Sequence, residues 1–329
     1  MKRSTSITAL SFLLISLLLF SEAAAKKFEF EYHKEMPVGK NPTLFLSNIS
    51  GNIIIKSHSE GKITIDALKV IQTHSIGKAE DLAERIEIEI QRVGEEVNIQ
   101  TKYPQRGFRG SISCWVNYQI SVPLETRLNI KTTSADVEVE DIQEKVRINT
   151  VSGDIEAESV KGTIDLSSVS GDFYLLDIQG DLLLEGTSSD MELEQIKGDV
   201  RIDCVSGDLT LQEIGGDIEA STSSGDIEVE QAKGEMDLNT ISGDVEVKTE
   251  VSAEGEYIIE TTSGEVFLYL PEESNAHLKC ESQSGSISTQ IPVNILSTSR
   301  RFLEGELGTG GPSRIFLSTV SGDIKVRGY

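Results

Sequence analysis

The chain is poor in the residues that most enzymes and cofactor-binding proteins depend on. Aromatic residues make up only 5% of its 329 positions, which leaves few flat side chains to grip a cofactor or a sugar ring. Four histidines and three cysteines leave little for metal chemistry, and no CxxC or Cys/His cluster brings zinc-type spacing together. Cys114, Cys204 and Cys280 are odd in number and far apart, so they do not form a disulfide framework. The spacing fits three unpaired or buried thiols, with one disulfide plus a leftover thiol as the alternative. Cations are also scarce. Thirty Lys and Arg stand against 54 Asp and Glu, for a formal net charge of −24, which argues against a nucleic-acid partner.

No apolar run beyond the first 25 residues is long enough to span a bilayer. Those 25 residues read as a cleaved secretory signal. Lys2 and Arg3 supply a positive start, Ile7 to Phe20 is largely apolar, and Ala23-Ala24-Ala25 supplies small residues for a peptidase. The run is shorter than the ~20 residues of a membrane span. No Cys follows it to carry a lipid. The expected mature chain begins at Lys26, is exported, and has no membrane span.

What the sequence does have is a repeat. Ser134, Ser152, Ser170, Ser188, Ser206, Ser224 and Ser242 lie 18 residues apart, most of them opening a Ser-Gly-Asp triplet. Gly162, Gly180, Gly198, Gly216 and Gly234 mark a second turn halfway between. The unit is therefore nine residues. From Val137 to Val245, all 13 first-strand positions are apolar, and so are all 13 positions two residues further on. Gly fills 10 of the 13 turn positions and Asp 10 of the 13 that follow.

Alternation with period two makes each unit a short, half-buried strand. A helix cannot satisfy apolar positions locked to a nine-residue period. Such a strand is too short to stand alone, so successive units must stack. The expected fold is all-β, a parallel β-solenoid with 18-residue coils of two nine-residue strand–turn units. Rungs rise ~4.8 Å each, so the seven Ser-marked coils span roughly 30 Å.

The flanks are less regular. Ser263-Gly264 and Ser284-Gly285 continue at 21-residue spacing, and Ser321-Gly322-Asp323 opens a last strand at Ile324 and Val326. The stretch 292–312 between Pro292 and Pro312 reads as a long loop, serving as a lid, an end cap or a plain connection. In the N-terminal third, Ile53/Ile55 and Ile63/Ile65 look like two early rungs. Residues 78–84 suggest a short helix. Ile86 to Ile99 suggests a hairpin around Gly94-Glu95, and Cys114 to Val122 a strand that Pro123 ends. The expected division is residues 1–25 as signal, 26–133 as a β-rich N-terminal region and cap, and 134–329 as the solenoid.

Three stretches carry a resemblance: Tyr118 to Leu124, Leu128 to Val137, and the repeated Thr/Ser-Val-Ser-Gly-Asp. They resemble a bacterial family of exported β-strand-repeat proteins called "putative adhesins", a domain of unknown function. The resemblance implies a β-solenoid and an envelope or surface location, with no catalytic motif to carry over.

Charge is concentrated. Residues 134–248 hold 29 acidic and 7 basic side chains, a net of −22. Outward pairs such as Glu138/Glu140, Glu156/Glu158 and Glu192/Glu194 would stack into like-charged columns that keep the protein soluble. The alternative is an electrostatic docking face. The turn column Asp154, Asp172, Asp190, Asp208, Asp226 and Asp244 lacks the extra glycines and spacing of a calcium roll. It reads as turn residues bonding local backbone. His58 lies nine residues after Ile49, where the repeat places an inward residue, so it reads as a core or rim histidine. No catalytic, cofactor or metal residue emerges. Tyr174, Leu176 and Leu183 are apolar at outward positions, and Tyr174 with Leu176 would form one spot framed by Glu156, Glu158, Glu192 and Glu194, either covered by the 292–312 stretch or the N-terminal cap, or open to contact a partner or a second copy. The expected function is an exported, non-enzymatic, adhesin-like binding or structural scaffold with an envelope or surface partner, protein or polysaccharide. A self-assembling envelope protein is the alternative, and a carbohydrate-active β-helix enzyme a weaker one.

Overall fold

The architecture is that of a computed structural model in which residues 25–104 and 112–329 are described. Apart from Ala25, the leader expected over 1–25 lies outside the described residues. Nine-residue units alternate between two facing sheets of 14 and 15 strands. Val137–Glu140 lies in the first sheet, Val146–Asn149 in the second, and Ile155–Glu158 in the first again. Within the repeat, neighbours in a sheet are parallel and 18 residues apart. Ile155 sits beside Val137 and Phe173, and Val146 beside Leu128 and Ile164. The expected coil is therefore the observed one. Its inward residues form one continuous core, in which Met191 and Leu193 are both buried.

Backbone contact at the turns fixes this spacing. Gly171 has φ +147°, and a Cβ there would lie 2.2 Å from the carbonyl oxygen of Gly153, one coil back. At the opposite turn, a Cβ on Gly198 would lie 2.5 Å from the Gly180 carbonyl. No side chain fits either place, because the turns stack backbone on backbone.

The aspartates bond across this same contact. Asp172 donates its backbone N–H to Oδ1 of Asp154 at 3.0 Å, and Asp190 donates to Asp172 at 2.9 Å. Asp208, Asp226 and Asp244 repeat the bond at 2.7–2.9 Å. Asp199 and Asp217 do the same at the other turn. These carboxylates thus bond the next coil rather than their own turn, which corrects the sequence expectation.

A further column was not visible in the apolar pattern. Asp141, Ser159, Asp177, Gln195, Glu213 and Gln231 all adopt left-handed φ of 51–60°. Each swings the chain so that the next residue faces inward, from Ile142 through Ile178 to Ala232, all of them buried.

The N-terminal end is closed by antiparallel structure. Ile53–His58 is a true rung, stacked beside Val137–Glu140. The second expected rung is not one. Ile63 and Ile65 belong to Lys62–Thr73, which runs antiparallel to Lys26–Pro37 and Ser113–Pro123. Its backbone groups are taken by these long partners, so it joins no coil. The helix is Ile76–Arg85, burying Ala79, Leu82 and Ala83. The hairpin is Glu87–Val93 with Glu96–Lys102. Ile49 is exposed, so the inward register counted from it to His58 is wrong. His58 is half-buried, and its Nδ1 accepts the Glu60 N–H at 3.0 Å.

Two C-terminal expectations are also corrected. The stretch 292–312 is not a loop. Val293–Ser299 and Phe302–Leu307 form an antiparallel hairpin, and the latter strand pairs with Ala276–Ser282. The last segment of the chain is also not the last in the stack. Arg314–Ser321 inserts between Glu256–Ser263 and Ala276–Ser282, and Ile324–Gly328 between Val266–Leu270 and Ile287–Thr289.

Leu193 is fully buried and Glu192 exposed. Leu193→Asp should therefore cost about 3–5 kcal/mol, whereas Glu192→Lys should shift stability by less than about 0.5 kcal/mol. Thermal melts of the two variants check this. The turn bond predicts that Asp190→Ala costs about 0.5–1.5 kcal/mol, while Asp190→Asn, which keeps an acceptor oxygen, costs less. Equal losses in urea titrations of both variants would contradict the inter-coil bond.

Candidate binding surface

The described residues gather little catalytic chemistry. No three His, Cys, Asp or Glu side chains among them converge as a metal-ligand set. His33 pairs with Asp66, Nδ1 to Oδ1 at 2.6 Å, and that bond raises its pKa. His277 lies between Glu304 at 3.3 Å and Glu306 at 3.0 Å. His58 and His74 sit elsewhere, so no two histidines share an element. All three cysteines are free thiols. Burial raises the pKa of each, and pushes Cys280 up to about 12. A thiol so protonated is a poor nucleophile.

The outer face of the first sheet is the most differentiated surface. Parallel register places its outward side chains in two columns. One runs Glu138, Glu156, Tyr174, Glu192, Thr210, Glu228 and Glu246, and the other Glu140, Glu158, Leu176, Glu194, Gln212, Glu230 and Lys248. At one end Lys56 bridges Glu138 at 3.0 Å and Glu140 at 2.8 Å, and these bonds raise its pKa. Lys248 pairs with Glu230 further along.

Tyr174 and Leu176 sit where expected and stay uncovered, at 45% and 37% exposure. The C-terminal hairpin pairs with the second sheet and leaves them open. Glu156 and Glu192 flank Tyr174, and Glu158 and Glu194 flank Leu176. Carboxylates, Asp172 foremost, raise the pKa of the Tyr174 hydroxyl. The spot adjoins a shallow groove of about 260 Å³ lined by Asn52, Ile54, Asp136, Glu138, Asp154 and Glu156. Leu183 is exposed on the other sheet, between Asp165 and Arg201.

Two surface features escaped the sequence reading. At the far end of the first sheet, Lys325 lies 4.7 Å from the Phe267 ring and Arg327 5.9 Å from Tyr269, while Lys248 lies 5.6 Å from Tyr329. These cation–π pairs join residues roughly 60–80 positions apart, and only the inserted last coil brings them together. The second is a column of exposed β-branched residues preceding several of the turn serines, including Ile49, Val151, Val169, Val205 and Ile241. Its signal was present as the repeated Val-Ser-Gly, but the position falls in the turn, outside the strand alternation.

Comparison with curated proteins gives no match. Among solved structures, the chain is similar to a "putative cell adhesion protein" from Clostridium sporogenes, at 10% identity and TM-score 0.26, covering 92% of this chain and 100% of that one. It is similar to a "putative adhesin" from Bacteroides fragilis, at 11% identity and TM-score 0.30, covering 90% and 97%. A "putative lipid binding protein" from Parabacteroides distasonis matches at 11% identity and TM-score 0.39, covering 91% and 96%. No helix among the described residues is long and apolar enough to cross a membrane. The family model Toastrack DUF4097 matches twice, over residues 36–182 and 178–327, and the chain belongs to that family.

Proposed function

We propose that the chain is an exported, non-enzymatic scaffold of the cell envelope that binds a surface partner, adhesin-like, through the outer face of its first sheet. The observation that carries this reading is the exposed Tyr174–Leu176 spot inside its rim of four glutamates. An apolar centre with a charged rim is the anatomy of a docking site, in which the centre supplies affinity and the rim supplies selection. The rim repels polyanions and favours a partner that presents basic groups around an apolar or sugar surface. Export rests on the leader expected over 1–25. The 18-residue coils support a binding rather than catalytic role, since their turns are too short to build a substrate-enclosing cleft. Three buried or half-buried thiols with raised pKa values also supply no ready nucleophile.

The test is a Tyr174→Ser, Leu176→Ser double variant used to capture partners from envelope extracts. Both side chains are exposed, so its melting temperature should stay within a few degrees of the parent. Recovery of the bound protein or polysaccharide should fall at least about tenfold, equivalent to about 1.4 kcal/mol. Unchanged recovery from a folded variant would remove this face from the account.

A further inference from the structure

Among the described residues, each end of the stack leaves one open edge per sheet, and three of these four edges are protected against pairing. Lys26–Pro37 carries six charged side chains in 12 residues. Glu87–Val93 carries Glu87, Glu89 and Arg92. Ile287–Thr289 is only three residues long. Charge and brevity are the usual means of keeping a sheet edge from recruiting another strand. The fourth edge, Val293–Ser299, has seven residues and no charge. It also exposes Ile295 at 55% and Leu296 at 64%. Its one protective feature is an irregularity between Ile295 and Ser297.

We propose that this edge pairs antiparallel with the same edge of a second copy, giving a closed two-fold dimer joined at the C-terminal ends of the two solenoids. Three observations single out a second copy. First, the repulsion between copies resides in the coils. Residues 134–248 carry a net −22, whereas in the segment 276–307 Lys279, Arg300 and Arg301 balance Glu281, Glu304 and Glu306. Side-by-side contact is opposed and end-to-end contact is not.

Second, the groups flanking the uncharged edge are complementary in charge. Antiparallel pairing brings the Arg300-Arg301 turn of one copy to the Val293 end of the other. There Glu306 lies beside Asn294 in register, with 32% of its side chain exposed and its Oε1 paired to His277. Third, the first-sheet edge beside it, at Ile287–Thr289, is too short to obstruct the approach. A strand paired with itself closes, so this contact gives a dimer and not a fibre. The inference is independent of the Tyr174–Leu176 face, which lies on the first sheet.

Sedimentation equilibrium of the exported chain up to about 100 µM, a range suited to a small interface, tests the proposal. The expected mass is that of a dimer at the upper concentrations. Ile295→Lys and Leu296→Lys, both at exposed positions, should halve it without changing the melting temperature, while Val93→Lys at the other end should leave it unchanged. Amide hydrogen exchange gives a second readout, with protection across 293–299 rising with concentration. A monomer throughout, a dimer that survives both lysine variants, an open series of larger species, or no gain in protection would each overturn the proposal.

Discussion

The contact between stacked turns is the constraint on which the rest of the structure depends. Each Ser-Gly-Asp turn lies so close to the turn before it that a Cβ at Gly207 would sit 1.9 Å from the Ser189 carbonyl oxygen. Glycine removes that obstruction, and the following aspartate converts the proximity into a bond, its Oδ1 accepting the next backbone N–H. Period, parallel register and coil length all follow. With the turns fixed, four to seven residues per unit remain for a strand, and mostly alternate ones face inward. The core is therefore narrow, built from aliphatic residues such as Leu193, Leu211 and Val229, and both broad faces are left to solvent.

Those faces shape the functional reading. A scaffold with short turns presents flat sheets, and what distinguishes one region from another is the outward side chain on each rung. On the first sheet this yields glutamate columns broken by Tyr174 and Leu176, then a terminal group in which cations stack over Phe267, Tyr269 and Tyr329. The acidic columns raise the long-range barrier to like-charged partners and to other copies meeting side by side. They leave the apolar spot and the stack ends as the places where close contact costs least.

Much of this was legible in the sequence, because the determinants were local and repeated. The 18-residue serine spacing gave the coil, and the alternation gave the register that buries Leu193 and exposes Glu192. The apolar spot followed from that register. The failures share a cause. Lys62–Thr73 has the alternation of a rung, yet its partners are long antiparallel strands far away in sequence, and alternation says nothing about strand direction. The prolines flanking 292–312 and its Gly310-Gly311 pair suggest a loop, yet the hairpin there is held by pairing with Ala276–Ser282, which no local pattern announces. The insertion of Arg314–Gly328 one rung inward is set by which coil offers a free edge, a property of the assembled stack. The left-handed column at Asp141 and its equivalents carries no glycine, so no residue type announced it.

Disulfide trapping in a cysteine-free background measures the coil register most directly. Thr210 lies beside Glu228, 18 residues on, with both side chains on the outer face of the first sheet. Glu219, nine residues on, lies in the opposite sheet. The account predicts that Thr210→Cys with Glu228→Cys oxidises readily to an intramolecular disulfide, while Thr210→Cys with Glu219→Cys stays reduced, because only the first pair falls within disulfide reach. Ready closure of the second pair, or failure of the first in a folded protein, would contradict the 18-residue coil.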